Sequence, residues 1–150
     1  MEKERWKDID GYEEKYRISS KGEVFSLLRN RTLKTRKWGN SEYKIVGLYK
    51  DRKCHQITIH RLVALNFLGK PKIISSERIE VNHKNGIKTD NRVENLEWCT
   101  HGRNQSHAYR TGLRPNFDGE NHPRAKFNNN FVKQRLNLHR LSLLLYRYFF

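Results

Sequence analysis

The chain has 150 residues, and 31 Lys and Arg against 16 Asp and Glu give a formal net charge of +15. Hydrophobic residues make up only 35% of it, so the core is expected to be small or divided. The charge excess favours a polyanionic partner, nucleic acid ahead of an anionic membrane surface. Two cysteines, Cys54 and Cys99, with no CxxC pair, argue against a disulfide framework and against a structural zinc. The charged N-terminus lacks a signal-peptide core and no run approaches transmembrane length, so a cytoplasmic protein with no membrane partner is expected.

In chain order, Tyr16 to Ser19 and Glu23 to Ser26 read as two short strands joined by a turn at Ser20-Lys21-Gly22. Trp6, Ile9, Tyr12 and Tyr16 are expected to form a local apolar cluster. The most basic stretch follows: from Val24 to Lys53 there are nine Lys and Arg against two acids. Arg29, Arg31, Lys34, Arg36 and Lys37 lie close together in it and suit contacts to backbone phosphates. Trp38 is placed either to stack on bases or to join the core. Tyr43 to Tyr49 and Cys54 to Ile59 read as paired strands turning at Asp51-Arg52. The apolar positions 62, 63, 65, 67 and 68 predict a helix from His60 to Leu68, ended by Gly69 and Pro71. His60 opens it and is better read as a packed or capping histidine than as a substrate contact.

The stretch from Glu80 to Asn104 is the one the others serve. Val81-Asn82-His83 is a short extended run, Asn85-Gly86 a turn signal, and Asn95 to Trp98 a second extended run. Thr100 suits an N-cap, a helix is expected from His101 to about Thr111, and Gly112 suits the left-handed position past its end. The product is a ββα unit. Beyond it, Arg114 to Pro123 is a linker by composition. The aromatic end, with Leu138, Leu141, Leu145 and Tyr148 on one helical face, fits a docked helix and a truncated module equally well.

Asn82-His83, then Asn95, then Asn104 resemble the His-Asn-His motif of the HNH nucleases, and more narrowly the HNH homing endonucleases of phages and their introns. Trp6 to Ser26 resembles a NUMOD4-like DNA-binding module ahead of such nuclease cores. His60-Arg61-Leu62-Val63-Ala64 also resembles the family, and Gly119 to Lys126 the opening of a C-terminal helical module. The likeness runs from about Arg5 to Pro123.

The resemblance implies an α+β chain: a small β-rich DNA-binding region over residues 1–40, an HNH nuclease core of the ββα-metal (His-Me finger) kind over 41–112, and a linker with a truncated or atypical end over 113–150. It implies a divalent-metal-dependent DNA endonuclease, with a non-catalytic DNA-binding protein of the same fold as the rival reading. His83 is then the general base, because imidazole titrates near neutrality. Asn95 orients the histidine, through backbone or side chain. Asn82 and Asn104 are metal positions, and hard amide oxygens suit one Mg²⁺ or Mn²⁺. Double-stranded DNA is the expected partner, gripped by Arg29, Arg31, Lys34, Arg36, Lys37, Trp38, Arg61 and Arg103, with no obligate protein partner. His107 is a weaker candidate for DNA contact than for an ordinary surface residue. Many relatives carry Asp at the position of Asn82, so metal affinity in the absence of DNA is expected to be weak.

Overall fold

Tyr16, Ile18 and Val24 place their side chains on one face of a sheet, and that face begins the core. The computed structural model describes residues 3–71, 77–115 and 130. Strands β1 (Trp6–Asp8), β2 (Tyr16–Ser19), β3 (Val24–Ser26) and β4 (Arg31–Thr32) form an antiparallel sheet in chain order. Ser19 closes the turn between β2 and β3: its Oγ accepts hydrogen bonds from the backbone N–H groups of Lys21 and Glu23. The expected aromatic cluster is divided. Ile9 and Tyr16 are buried and Tyr12 meets Tyr16 edge-on, whereas Trp6 packs against Phe25.

A second antiparallel sheet holds β5 (Arg36–Lys37), β6 (Lys44–Lys50) and β7 (Lys53–Thr58). Asp51 and Arg52, at the turn between β6 and β7, both adopt positive φ. Tyr16 ties the two sheets, its hydroxyl accepting from the Tyr49 N–H at 3.2 Å. Ile59–Val63 forms helix α1, which buries Ile59, Leu62 and Val63. The expected single helix changes character here, because Ala64–Leu68 winds as a π-turn. Asn66 accounts for the change: its Nδ2 donates to the Leu62 carbonyl while its Oδ1 accepts from Asp10 N–H, drawing the turn toward the first sheet.

The third sheet is a ribbon of β8 (Ile79–His83) and β9 (Leu96–Thr100), with a 3₁₀ turn at Val93–Asn95 before β9. Helix α2 (His101–Arg110) follows at once. Thr100 caps it, its Oγ1 accepting from Arg103 N–H at 3.3 Å. One apolar cluster joins Ile18 and Val24 of the first sheet, Val46 and Leu48 of the second, Leu62 and Val63 of α1, Val93 of the 3₁₀ turn and Leu96 of the ribbon.

The chain divides into two units between Ala108 and Tyr109. In the second, Gly112 takes φ +70° and its N–H donates to the Tyr109 carbonyl. The sequence features between Gly119 and Lys126 and from Leu136 to Phe150 lie outside the described residues.

Candidate active site

The ribbon and α2 bring Asn82, His83 and Asn104 into one ββα unit, and the loop between the strands closes around His83. Asn82 and His83 are buried at 6% and 5% exposure, unusual for polar side chains and sustainable only with partners. Asn82 Nδ2 donates to Glu97 Oε1 at 3.0 Å, and Asn104 Nδ2 donates to Glu80 Oε2 at 2.8 Å. Glu80 also meets Arg78 at 3.2 Å and His101 at 3.0 Å through its Oε1. Glu97 Oε2 lies 3.7 Å from Arg103.

His83 Nε2 lies 3.3 Å from Asn91 Oδ1. Asn91 turns its Nδ2 to the Thr89 carbonyl, so the atom facing the ring is an acceptor. The imidazole proton therefore sits on Nε2, and Nδ1 carries the lone pair. Burial lowers the His83 pKa, against an opposing hydrogen bond from Asn91 and the charge of Asp90, so the ring is neutral at pH 7. Nothing in the sequence marks Asn91 as a site residue; Asp90-Asn91-Arg92 reads there simply as a polar turn.

Asn95 acts on the loop and makes no hydrogen bond to the His83 ring. Its side chain bonds the Asn85 amide N–H, Asn85 Oδ1 and the Asp90 carbonyl, and its own carbonyl accepts from Lys84 N–H. Asp90 braces the same loop: Arg92 grips its carboxylate with two bonds of 2.8 Å, and Asn85 adds a third. These bonds, Arg92's first, hold the Asp90 pKa down to about 2. His107 on α2 places Nε2 3.1 Å from the carbonyl of Lys84, the residue after His83.

His60 and Tyr43 wall the other side of His83. The His60 ring lies 4.9 Å from Tyr43 and 5.3 Å from His83, between ring centres. Burial first, then the neighbouring charges of His83 and Arg61, push the His60 pKa down to about 4. His60 is thus a packed, neutral histidine, and among the described residues its buried Nδ1 has no hydrogen-bond partner.

A cleft of about 650 Å³ opens beside these groups, lined by Trp38, Tyr43, His60, Arg61, Arg78 and Asn104 among others. Trp38 is 59% exposed on its rim, which removes the core alternative. Arg29, Arg31 and Lys34 line a separate groove of about 530 Å³. Arg36, Lys37, Arg61 and Arg103 are exposed. Arg78 joins Arg61 on the cleft wall, at a position with no motif around it to signal such a role.

The donor chemistry fits a hard divalent cation. Asn82 and Asn104 offer amide oxygens, and among the described residues no hydrogen bond is made to either Oδ1. Among the described residues no group of three or more His, Cys, Asp or Glu side chains is placed to hold an ion, so a cation here would lean on amides, water and substrate oxygens.

A two-stranded ribbon closed by a helix, with a buried neutral histidine at the ribbon's loop end and amides on strand and helix, defines the ββα finger of the HNH type. Comparison with known proteins agrees. Residues 58–106 match the HNH endonuclease family model, and residues 4–49 match the NUMOD4 motif. Through these two segments the chain resembles the HNH homing endonucleases.

Similar proteins include DNA endonuclease I-HmuI of Bacillus phage SP01, 40% identical over 95 residues, covering 63% of this chain and 52% of that one. H-N-H endonuclease F-TflII of Escherichia phage T5 is 36% identical over 111 residues, covering 74% of this chain and 54% of that one. The solved structure of the homing endonuclease I-HmuI, described as showing DNA binding and cleavage, superposes with a TM-score of 0.64 at 36% identity, covering 75% of this chain and 62% of that one. The chain thus spans about half the length of these curated relatives.

Proposed function

We propose that this chain is a divalent-metal-dependent DNA endonuclease of the HNH homing type, with His83 as its general base. The observation that carries the reading is His83 itself: a buried, neutral imidazole whose Nε2 is occupied by Asn91 and whose Nδ1 is left with the lone pair. A neutral histidine beside a basic cleft is suited to taking a proton from water. In this reading water attacks the scissile phosphate and His83 accepts its proton at Nδ1.

Asn95 positions the base by holding the loop from Lys84 to Asp90 in place. Asn82 and Asn104 would hold one Mg²⁺ or Mn²⁺, which supplies Lewis-acid chemistry at the phosphate and the departing oxygen. Arg61 on the cleft wall, and Arg103 on α2, would meet the strand being cut. Arg29, Arg31, Lys34, Arg36, Lys37 and Trp38 would grip the flanking duplex. Residues 1–40, 41–112 and 113–150 are then the DNA-gripping region, the nuclease core and an atypical end. The reaction would run in the cytoplasm, that of the host if the chain is phage-encoded, where Cys54 and Cys99, both free, stay reduced.

The test is incubation of purified protein with plasmid and phage or host genomic DNA in Mg²⁺ or Mn²⁺, against an EDTA control, followed by end mapping. Metal-dependent nicks or breaks at defined positions are expected. Tight binding without cleavage in either metal would establish the non-catalytic alternative.

A further inference from the structure

Each of the two amides just described is turned by a carboxylate. Asn82 and Glu97 are direct cross-strand partners in the ribbon, and Asn82 Nδ2 donates to Glu97 Oε1 at 3.0 Å. Glu80 lies two residues before Asn82 on the same face of β8 and accepts from Asn104 Nδ2 at 2.8 Å. The far side of each carboxylate is met by an arginine, and Glu80 by His101 as well. Arg78 and His101 hold Glu80 Oε1, at 3.2 Å and 3.0 Å, and Arg103 stands 3.7 Å from Glu97 Oε2. The same order of groups, cation to carboxylate to amide, is therefore built twice.

We propose that Glu97 and Glu80 are positioning residues that set the orientation of Asn82 and Asn104 and thereby present both amide oxygens to a divalent cation. The inference rests on the reading of these two asparagines as the ion's protein ligands. An asparagine amide has nearly the same shape either way round, but only its NH₂ end donates. An ionised carboxylate only accepts, so it admits the NH₂ end and repels the oxygen. Turning either amide over would set two oxygens against each other at about hydrogen-bond distance and forfeit a charge-assisted bond. The neutral ligands are thus held oxygen-outward before the ion arrives. A carboxylate ligand would need no such control, because its two oxygens are equivalent. The two glutamates answer a requirement created by having amides at these positions.

The test reads Mn²⁺ binding rather than turnover. The full chain carrying His83→Ala keeps duplex DNA intact, and the electron paramagnetic resonance signal of free Mn²⁺ is followed with DNA alone as baseline. Glu97→Gln and Glu80→Gln let the partner present either an oxygen or an NH₂, so each is expected to weaken Mn²⁺ binding about 10-fold or more, while DNA affinity in EDTA stays unchanged. The exchange Asn82→Asp with Glu97→Gln reverses the hydrogen bond and supplies a ligand indifferent to flipping. It is expected to restore the affinity of the parent or better. The exchange keeps the cross-strand hydrogen bond and adds a charge, so Asn82→Asp alone serves as the control for that charge, and thermal unfolding of every variant shows whether the fold survives.

Mn²⁺ affinities of both Glu→Gln variants within about two-fold of the parent would overturn the proposal, as would an exchange that fails to restore binding in a folded protein. Asn82→Ala and Asn104→Ala separate the two levels. If they weaken Mn²⁺ binding while the Glu→Gln variants do not, only the positioning role is lost. If they too bind like the parent, the asparagines are not the ligands and the underlying reading falls.

Discussion

Gly22 of the first hairpin abuts Asn91 of the loop that closes around His83. A Cβ built on Gly22 would lie 2.9 Å from Asn91 Cβ and 3.0 Å from Ile59 Cγ2. Gly22 also adopts φ +89°, a conformation side chains resist. Beside it, the Val93 N–H donates to the Ser20 carbonyl at 2.9 Å. Asn91 in turn bonds the imidazole of His83, so a turn near the N-terminus braces a residue that holds it.

Gly22→Ala is therefore expected to act twice. The positive φ alone costs roughly 1–2 kcal/mol, and the methyl group must push the Asn91 segment or Ile59 aside. Thermal unfolding is expected to fall by several degrees. Cleavage rate at saturating DNA is expected to fall further than this loss of stability explains, with DNA affinity little changed. A variant that melts lower yet cuts at the wild-type rate would confine Gly22 to a folding role.

His83→Ala is expected to reduce cleavage by roughly 10²–10⁴-fold while DNA affinity stays within a few-fold. Asn91→Ala is the sharper companion. It leaves the imidazole in place but removes the acceptor that keeps its proton on Nε2. Single-turnover rates on a nicked or linear substrate are expected to drop, without the complete loss of the histidine variant, and the DNA dissociation constant is expected to stay put. Equal rates for Asn91→Ala and wild type would mean that packing against Tyr43 and His60 suffices to orient the ring.

Local chemistry made much of this fold legible in the sequence. Thr100 before a polar helix and Gly112 after it carry their own cap geometry, and the Ser20 to Gly22 turn is equally local. The strand pair at Lys44–Lys50 and Lys53–Thr58 sits within one residue of its expected ends at all four termini. The site residues Asn82, His83 and Asn104 share a motif, and the ribbon and α2 do carry them together. What stayed hidden acts across the chain. Asn66, within the π-turn, bonds both the Leu62 carbonyl and the Asp10 N–H from the first sheet. Asn91 reaches His83 from eight residues away, and Glu80 and Glu97 read as ordinary surface acids until the asparagines stand against them. Sequence spacing reveals none of these encounters, because each depends on how the ribbon, the loop and the first hairpin pack.

Binding to DNA is expected to weaken steeply with salt. Arg36 and Lys37 form the short exposed strand β5, paired to Ile45 and Lys44, and stand next to Trp38 on the rim of the cleft. Replacing both with Gln is expected to lower the slope of log affinity against log salt concentration by about one to two units, because each phosphate left without its cation keeps its own counterions. An unchanged slope would place this strand away from the duplex. Trp38→Ala in the same assay is expected to weaken binding with no change of slope, since an aromatic ring releases no counterions.

Acid is expected to destabilise the fold through His60. This histidine is neutral in the folded chain, and its pKa is pushed from 6.5 down to about 4 by burial beside His83 and Arg61. In the unfolded chain it regains its ordinary value and binds a proton more readily. The unfolded state therefore takes up more protons as pH falls, and folding loses stability in that direction. The contribution is whole above about pH 6.5 and drains away between pH 6.5 and pH 4, at up to about 1.4 kcal/mol per pH unit. His60→Phe keeps an aromatic ring against Tyr43 and removes the titration. Its midpoint of urea unfolding is expected to fall less than the wild type's between pH 7 and pH 4.5, so that the two curves converge toward acid. His83 is shifted in the same direction by its own burial, so some pH dependence is expected to persist in the variant. Parallel curves for the two proteins would mean that His60 is protonated in the fold, and that its buried Nδ1 finds a partner when charged.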